Sequence, residues 1–324
     1  MANLPNVVIL GDYECALRRY SDWSKVDQLC KLQIYQHPLE GEALYQSAKD
    51  ADVVILVRDR TPLDAALIAR LPKLKLLMFT GKRNSTLDVA ALKARGIPIA
   101  CTPGGPSKDS TAELTWALIL GASKNLLHQN SLMQSGGWRD ELSVLPMLSG
   151  ERLGLIGLGA IGSAVAKVGI AFGMEVVVWS PNMTAERAAA QNVRSVSLNE
   201  LLKTSKVVSL HLVAGPSTKG LIGAEQLALM RPDALLVNTA RSALINMADL
   251  QEALKRGRPA QAALDVFETE PLPKEDSLRN NPTLLLTPHL GFVAEPIFKA
   301  FSEGITSTLE AWFTQQTIPY PFEA

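Results

Sequence analysis

What most constrains this chain is an alternation, run through twice, of short apolar segments rich in β-branched residues with longer segments of helical spacing. Buried strands are predicted at 6–10, 32–36, 51–57, 74–80 and 97–102, and again at 153–156, 174–179, 207–212, 234–238, 260–267 and 283–287. Helical spacing occupies 41–49, 62–71 and 86–95; Pro62 reads as a first-turn proline after a Thr61 cap, and Gly96 as the glycine that closes the third segment. Strand, helix, strand in repetition implies right-handed crossovers and parallel sheets, so the fold class is α/β. The turn-rich TPGGPS at 102–107 marks a crossing into a second unit, entered through a helix of about 110–134 that SGG at 135–137 breaks. The segment 295–313 has helical spacing and no sheet of its own to join, so it is expected to return to the first unit.

Composition narrows the function classes. The 324 residues suit two domains of ~150 residues each. Lys+Arg and Asp+Glu both number 32, so no dominant basic face for nucleic acid is expected. No apolar run approaches the ~18 residues of a membrane span, and MANLPNVVIL has no cationic stretch ahead of an apolar one, which speaks against a secretory signal and a membrane partner. Cys15, Cys30 and Cys101 are odd in number and scattered, which points to a reducing compartment, the cytoplasm, and to no metal site.

GLGAIG at 157–162 follows a predicted strand and opens a helix. Gly157 permits the tight turn, Gly159 lets the backbone approach a pyrophosphate, and Gly162 lets helix and sheet pack closely. The helix start, with Ala160 and Ile161, offers free N–H groups and a positive dipole to phosphates. The bland alternative is a tight turn that holds nothing. A carboxylate ordinarily closes the second strand of such a unit and binds the ribose 2′-hydroxyl of NAD; here that position is Ser180. Serine does not repel a 2′-phosphate, and Arg187 follows seven residues on, so the cofactor is NAD or NADP, with the missing acid favouring NADP.

Of four histidines, His37 and His128 read as structural or surface residues. His211 ends a strand of the second series, where it lines the dinucleotide groove or simply packs. His289 lies in TPHLG just past a strand, and two neighbouring strands are followed by NTAR at 238–241 and DVFETEP at 265–271. Ligands of open α/β sheets bind at the carboxyl ends of strands. Arg241, Asp265, Glu268, Glu270 and His289 can therefore face one crevice; the alternative is a surface pair of Arg241 and Glu270 with His289 in a plain loop.

These motifs, with VRDRTPL at 57–63 and TAELTWALILG at 111–121, resemble over nearly the whole chain the D-isomer-specific 2-hydroxyacid dehydrogenase family, whose members include phosphoglycerate, hydroxypyruvate/glyoxylate and D-lactate dehydrogenases. The resemblance implies a flavodoxin-like substrate-binding domain over 1–102 and 290–324. A Rossmann-type dinucleotide-binding domain over 103–289 would be inserted in it, with the site in the cleft between them, and the protein would be a homodimer. It implies a catalytic Arg241, Glu270 and His289, with Glu270 preferred over Glu268 because it precedes Pro271. Asp265 would stand by the nicotinamide carboxamide, with Thr239 and Ala240 as backbone neighbours and Val213 and Gly291 also at the cofactor.

The implied chemistry is hydride transfer to C2 of a 2-keto acid, glyoxylate or hydroxypyruvate being the favoured examples. Arg241 would hold the carboxylate and keto oxygen with its donor fork, and a protonated His289, oriented by Glu270, would deliver the proton. The chain departs from the family pattern at Ser180, at Ser242, where glycine is usual, and at Thr80–Asn84 (TGKRN), where a glycine-rich substrate loop is usual. Gly81, Lys82 and Arg83 would still bind the substrate carboxylate there, with Arg58 set for an acidic substituent. The rivals are a non-catalytic dinucleotide-sensing corepressor and a formate or phosphite enzyme of the same fold.

Overall fold

The computed structural model describes residues 4–139 and 144–323. The chain divides into two compact units, Met1–Ser107 with Val293–Ala324, and Lys108–Phe292. Among its described residues the first unit carries five strands: β1 (Asn6–Leu10), β2 (Lys31–Tyr35), β3 (Val53–Leu56), β4 (Leu76–Phe79) and β5 (Ile99–Cys101). Their order is β2-β1-β3-β4-β5, and every pair is parallel. β3 and β4 are apolar at every position and buried throughout, as a parallel sheet covered on both faces requires.

The helix Glu295–Phe313 belongs to this unit and buries Ile297, Phe298, Phe301, Ile305 and Leu309. Ser302 is its polar anchor: the hydroxyl donates to the Leu17 carbonyl at 2.5 Å and accepts from Trp23 Nε1 at 3.2 Å. The C-terminal tail then runs antiparallel along β5, with the Cys101 amide donating to the Tyr320 carbonyl and the Phe322 amide to the Ile99 carbonyl, both at 2.9 Å.

The second unit carries β6 (Arg152–Ile156), β7 (Glu175–Trp179), β8 (Arg194–Ser195), β9 (Val207–Leu210), β10 (Leu235–Asn238), β11 (Gln261–Leu264) and β12 (Leu284–Leu286). All pairs are parallel, in the order β12-β11-β10-β9-β6-β7-β8. The order reverses between β6 and β9, which is where a doubly wound sheet opens a crevice for a ligand.

Three expectations need correction. The helix expected over 62–71 runs only Ala65–Ala69; its cap is Asp64, whose carboxylate accepts from the Leu67 amide at 2.8 Å, while Leu63 is held by the Thr86 carbonyl. The helix expected over 86–95 likewise begins at Val89 behind an Asp88 cap. The single helix expected over 110–134 is two, Ser107–Ser123 and Leu126–Gln134, broken at Asn125 in left-handed geometry (φ +48°), which asparagine tolerates better than most residues. Among the described residues, no helix is long and apolar enough to cross a membrane.

Candidate active site

The carboxyl end of β6 runs into the glycine loop and then the helix Ala160–Ala171. Gly157 has φ +106°, and a Cβ there would sit 2.7 Å from the His211 carbonyl oxygen at the end of the adjacent β9. A Cβ on Gly162 would collide with the Gly157 carbonyl. Gly159 differs: its φ is negative, and a Cβ would meet nothing within 4 Å. Neither backbone nor packing calls for glycine at 159, so the open space beside the helix start is what an approaching pyrophosphate would use. The helix has no side-chain cap, so its first N–H groups face that space without a capping oxygen. The loop therefore fits a dinucleotide.

At the end of β7, Ser180 stands where the acid was missing. Arg187 Nη1 donates to the Asn182 carbonyl at 2.6 Å, which folds its guanidinium back over the 180–184 turn. Glu186, the first carboxylate after it along the chain, lies in the first helical turn behind the Thr184 cap, and its carboxyl is held below the usual range by its own amide and the Thr184 hydroxyl.

His211 follows β9, and its Nε2 lies 3.0 Å from Ser209 Oγ. Surrounding protein pushes its imidazole down to about 4, although part of the residue still meets solvent. The ring is therefore neutral at neutral pH. Since the folded state disfavours a proton that the unfolded chain takes up near pH 6.5, this stability is complete above that pH and is lost as the pH falls towards 4, by up to about 3 kcal/mol. His211→Asn is expected to flatten the thermal midpoint against pH over that window; an unchanged slope would count against the assignment. Val213, two residues on, is 77% exposed.

β10 ends at Asn238, fully buried, which pins the following turn: its Oδ1 accepts from the Ala240 amide at 3.0 Å and its Nδ2 donates to the Arg241 carbonyl at 2.9 Å. Thr239 is buried, while Arg241 is exposed, with Nη1 donating to the Ala240 carbonyl at 2.8 Å. Ser242 opens a short 3-10 helix, Ser242–Leu244, without positive φ, so this turn makes no demand for the usual glycine.

After β11 comes Asp265, 1% exposed. It reaches the loop after β12: Oδ1 accepts from Thr287 Oγ1 and the Leu290 amide, both at 2.7 Å, and Oδ2 accepts from the Gly291 amide at 3.0 Å. Burial pushes its carboxyl up despite these bonds and the charge of His289. In the middle of that loop His289 has φ +56°. Its Nδ1 lies 2.6 Å from Glu270 Oε2, and Glu270 Oε1 accepts from the Phe267 amide at 2.8 Å. Burial alone would raise the Glu270 carboxyl; the hydrogen bond and charge of His289, the Phe267 amide and the charge of Arg241 together hold it below the usual range. Glu268 and Glu270 are both exposed; it is Glu270 that bonds His289.

In the first unit, Gly81 (φ +84°) gives its amide to Thr102 Oγ1 at 2.9 Å, and the Arg58 guanidinium fills the space a Cβ at 81 would take. Arg58 itself has φ +56°; its amide donates to Thr80 Oγ1 at 3.0 Å and its carbonyl accepts from Asn84 Nδ2 at 2.7 Å. Lys82 and Arg83 are exposed. Thr111 and Thr115 escaped the sequence reading as site residues. The available signal was two threonines four apart in an apolar helix, both of which prove buried.

A doubly wound sheet with a glycine loop at its switch point, and an Arg and a His–Glu pair at the ends of neighbouring strands, defines a dinucleotide-binding α/β protein. The family model for the NAD binding domain of D-isomer specific 2-hydroxyacid dehydrogenases matches residues 116–291. The D-3-phosphoglycerate dehydrogenase of Methanocaldococcus jannaschii is 37% identical over 87% of this chain and 54% of its own length, and the glyoxylate reductase of Aeropyrum pernix is 36% identical over 79% and 77%. A crystal structure of a phosphoglycerate oxidoreductase from Vibrio cholerae superposes with a TM-score of 0.86 at 32% identity, covering 95% of this chain and all of the other. The chain belongs to the D-isomer-specific 2-hydroxyacid dehydrogenase family. It spans about half the length of the M. jannaschii relative.

Proposed function

We propose that this chain is an NAD(P)-dependent oxidoreductase that interconverts a small D-2-hydroxy acid and its 2-keto acid. The observation that carries this reading is the His289–Glu270 contact of 2.6 Å at the carboxyl ends of neighbouring strands of the cofactor-binding sheet. The bound nicotinamide supplies or receives hydride. His289, its Nδ1 engaged by Glu270, presents Nε2 as the proton donor in reduction and the acceptor in oxidation. Glu270 stays charged through neutral pH and stabilises the ring when it carries two protons. Arg241 binds the substrate carboxylate and keto oxygen, a planar fork meeting two oxygens. Arg58, Gly81, Lys82 and Arg83 are the proposed substrate-binding group of the first unit. On the cofactor side the proposed residues are Gly157, Gly159, Ala160, Ile161, Gly162, Ser180, His211, Val213, Thr239, Ala240, Asp265 and Gly291. Asp265 would act there chiefly through the loop it ties down.

Ser180 and the folded-back Arg187 favour NADP over NAD. A homodimer is the proposed assembly, because the helix Leu126–Gln134 buries none of its residues and leaves Leu126 and Leu127 59% and 66% exposed; a sedimentation mass of one chain removes it. The three free cysteines suit the cytoplasm.

The test follows absorbance at 340 nm with NADPH or NADH against glyoxylate, hydroxypyruvate, pyruvate and phenylpyruvate. Oxidation with at least one acid, faster with NADPH, is the expected result. Dinucleotide binding without turnover of any acid would replace this reading with the dinucleotide sensor.

A further inference from the structure

We propose that Thr111 and Thr115 are positioning residues that set the geometry of His289 and Arg241 respectively, an inference that rests on the roles proposed for those two groups. Both lie on the helix Ser107–Ser123, four residues apart and so on one face. Both are buried, Thr115 completely.

Thr111 Oγ1 donates to the Gly291 carbonyl at 2.9 Å. The amide of that same residue donates to Asp265. A Cβ on Gly291 would lie 3.3 Å from both Asp265 Oδ2 and Thr111 Oγ1, so residue 291 is gripped from two sides. Thr287 and Leu290 are tied to the other Asp265 oxygen. His289 thus sits between fastened neighbours in a left-handed backbone conformation, which is uncommon for residues other than glycine. Remove the Thr111 hydroxyl and the Gly291 carbonyl loses this bond.

The second contact follows from proton accounting. Thr115 Oγ1 donates its one proton to the Thr111 carbonyl at 2.8 Å. In its 2.8 Å contact with Thr239 it must then accept, and the Thr239 hydroxyl donates. Thr239 is thereby tied to the helix, two residues before Arg241, while Asn238 fixes the far side of the same turn. One helix face therefore fastens the loop after β12 through Thr111 and the loop after β10 through Thr115. Valine would fill the same space at either position. What the hydroxyls add is direction, given to two loops rather than to the core.

The four variants Thr111→Val, Thr111→Ser, Thr115→Val and Thr115→Ser separate these roles. Thr111→Val is expected to lower kcat about tenfold and to move the pH profile of reduction, with the keto-acid KM unchanged, because it loosens the proton donor. Thr115→Val is expected to raise the keto-acid KM about fivefold with kcat nearly intact, because it loosens the carboxylate clamp. Both serine variants should restore parental values, including any loss of NADPH affinity that the valine variants cause through Gly291 and Thr239, the proposed cofactor neighbours that the two hydroxyls hold. Parental kcat and KM in both valine variants would overturn the proposal. So would losses that serine does not restore and that track a fall in thermal midpoint. If the parent itself turns over no acid, the function proposed above fails separately. The clamp is then judged by the His289 ring resonances in NMR titration, which should shift in Thr111→Val and not in Thr115→Val; no shift in either overturns it.

Discussion

Replacing His289 by asparagine is expected to lower reductive kcat by about 10²- to 10⁴-fold, the range a positioned general acid contributes, while NADPH still binds. Asparagine can keep a hydrogen bond to Glu270 and tolerates the left-handed backbone at 289 (φ +56°), so the loop survives and only the proton is lost. The pH dependence has a defined sign. Reduction needs a proton on His289 and should fall as pH rises; oxidation needs that position vacant and should rise. Glu270 acts at the acid end. Its folded carboxyl titrates below the usual range, so its pairing is complete above the ordinary carboxylate value and disappears as pH falls through the depressed one. Stopped-flow single turnovers across pH in the parent and His289→Asn test this directly. A variant with parental single-turnover rates would remove His289 from the chemistry.

The second large effect lies at Gly157. An alanine there would have to hold φ +106° and place its Cβ 2.7 Å from the His211 carbonyl. The cost is on the order of 3 kcal/mol, combining a backbone conformation alanine avoids with overpacking. Relief requires either the loop to flip or β6 and β9 to part at the switch point. Either movement would disturb the helix start that receives the phosphates. Loss of NADPH binding by at least about 100-fold and a clearly lower thermal midpoint are therefore expected together. Gly159→Ala is the informative partner. Its Cβ meets no protein atom, so it should fold like the parent and lose only cofactor affinity. A fluorescence titration and a melting curve on each variant separate the two cases.

The two sheets were legible because their signal is local. Runs such as VVIL at 53–56 and LLVN at 235–238 sit inside sheets covered on both faces and can be read without knowing their neighbours. The return helix is legible for the same reason, its buried residues recurring along one face from Ile297 to Leu309. Motif residues that follow strand ends, such as Gly157, Arg241 and His289, came with them, since parallel topology sends those ends to one edge of the sheet. Other features depend on contacts distant in sequence. Asp64 rather than Thr61 caps its helix because Leu63 is taken by the Thr86 carbonyl. The break at Asn125 has no glycine or proline to announce it. β8, at two residues, is too short to carry a pattern. Thr111 meets Gly291 across 180 residues, and nothing in either segment names the other.

That last contact has a consequence for how such a chain can be assembled and cut. Thr111 and Gly291 stand just inside the two ends of the second unit, and they are hydrogen-bonded to each other. On the first unit's side the corresponding ends also meet, since a Cβ on Gly105 would lie only 2.9 Å from Ile297 Cα. Within each unit the two chain ends at the boundary therefore lie close together. Each piece can be closed on itself by a short linker at little entropic cost. Along the chain, residues 108–292 are inserted between the two segments of the first unit.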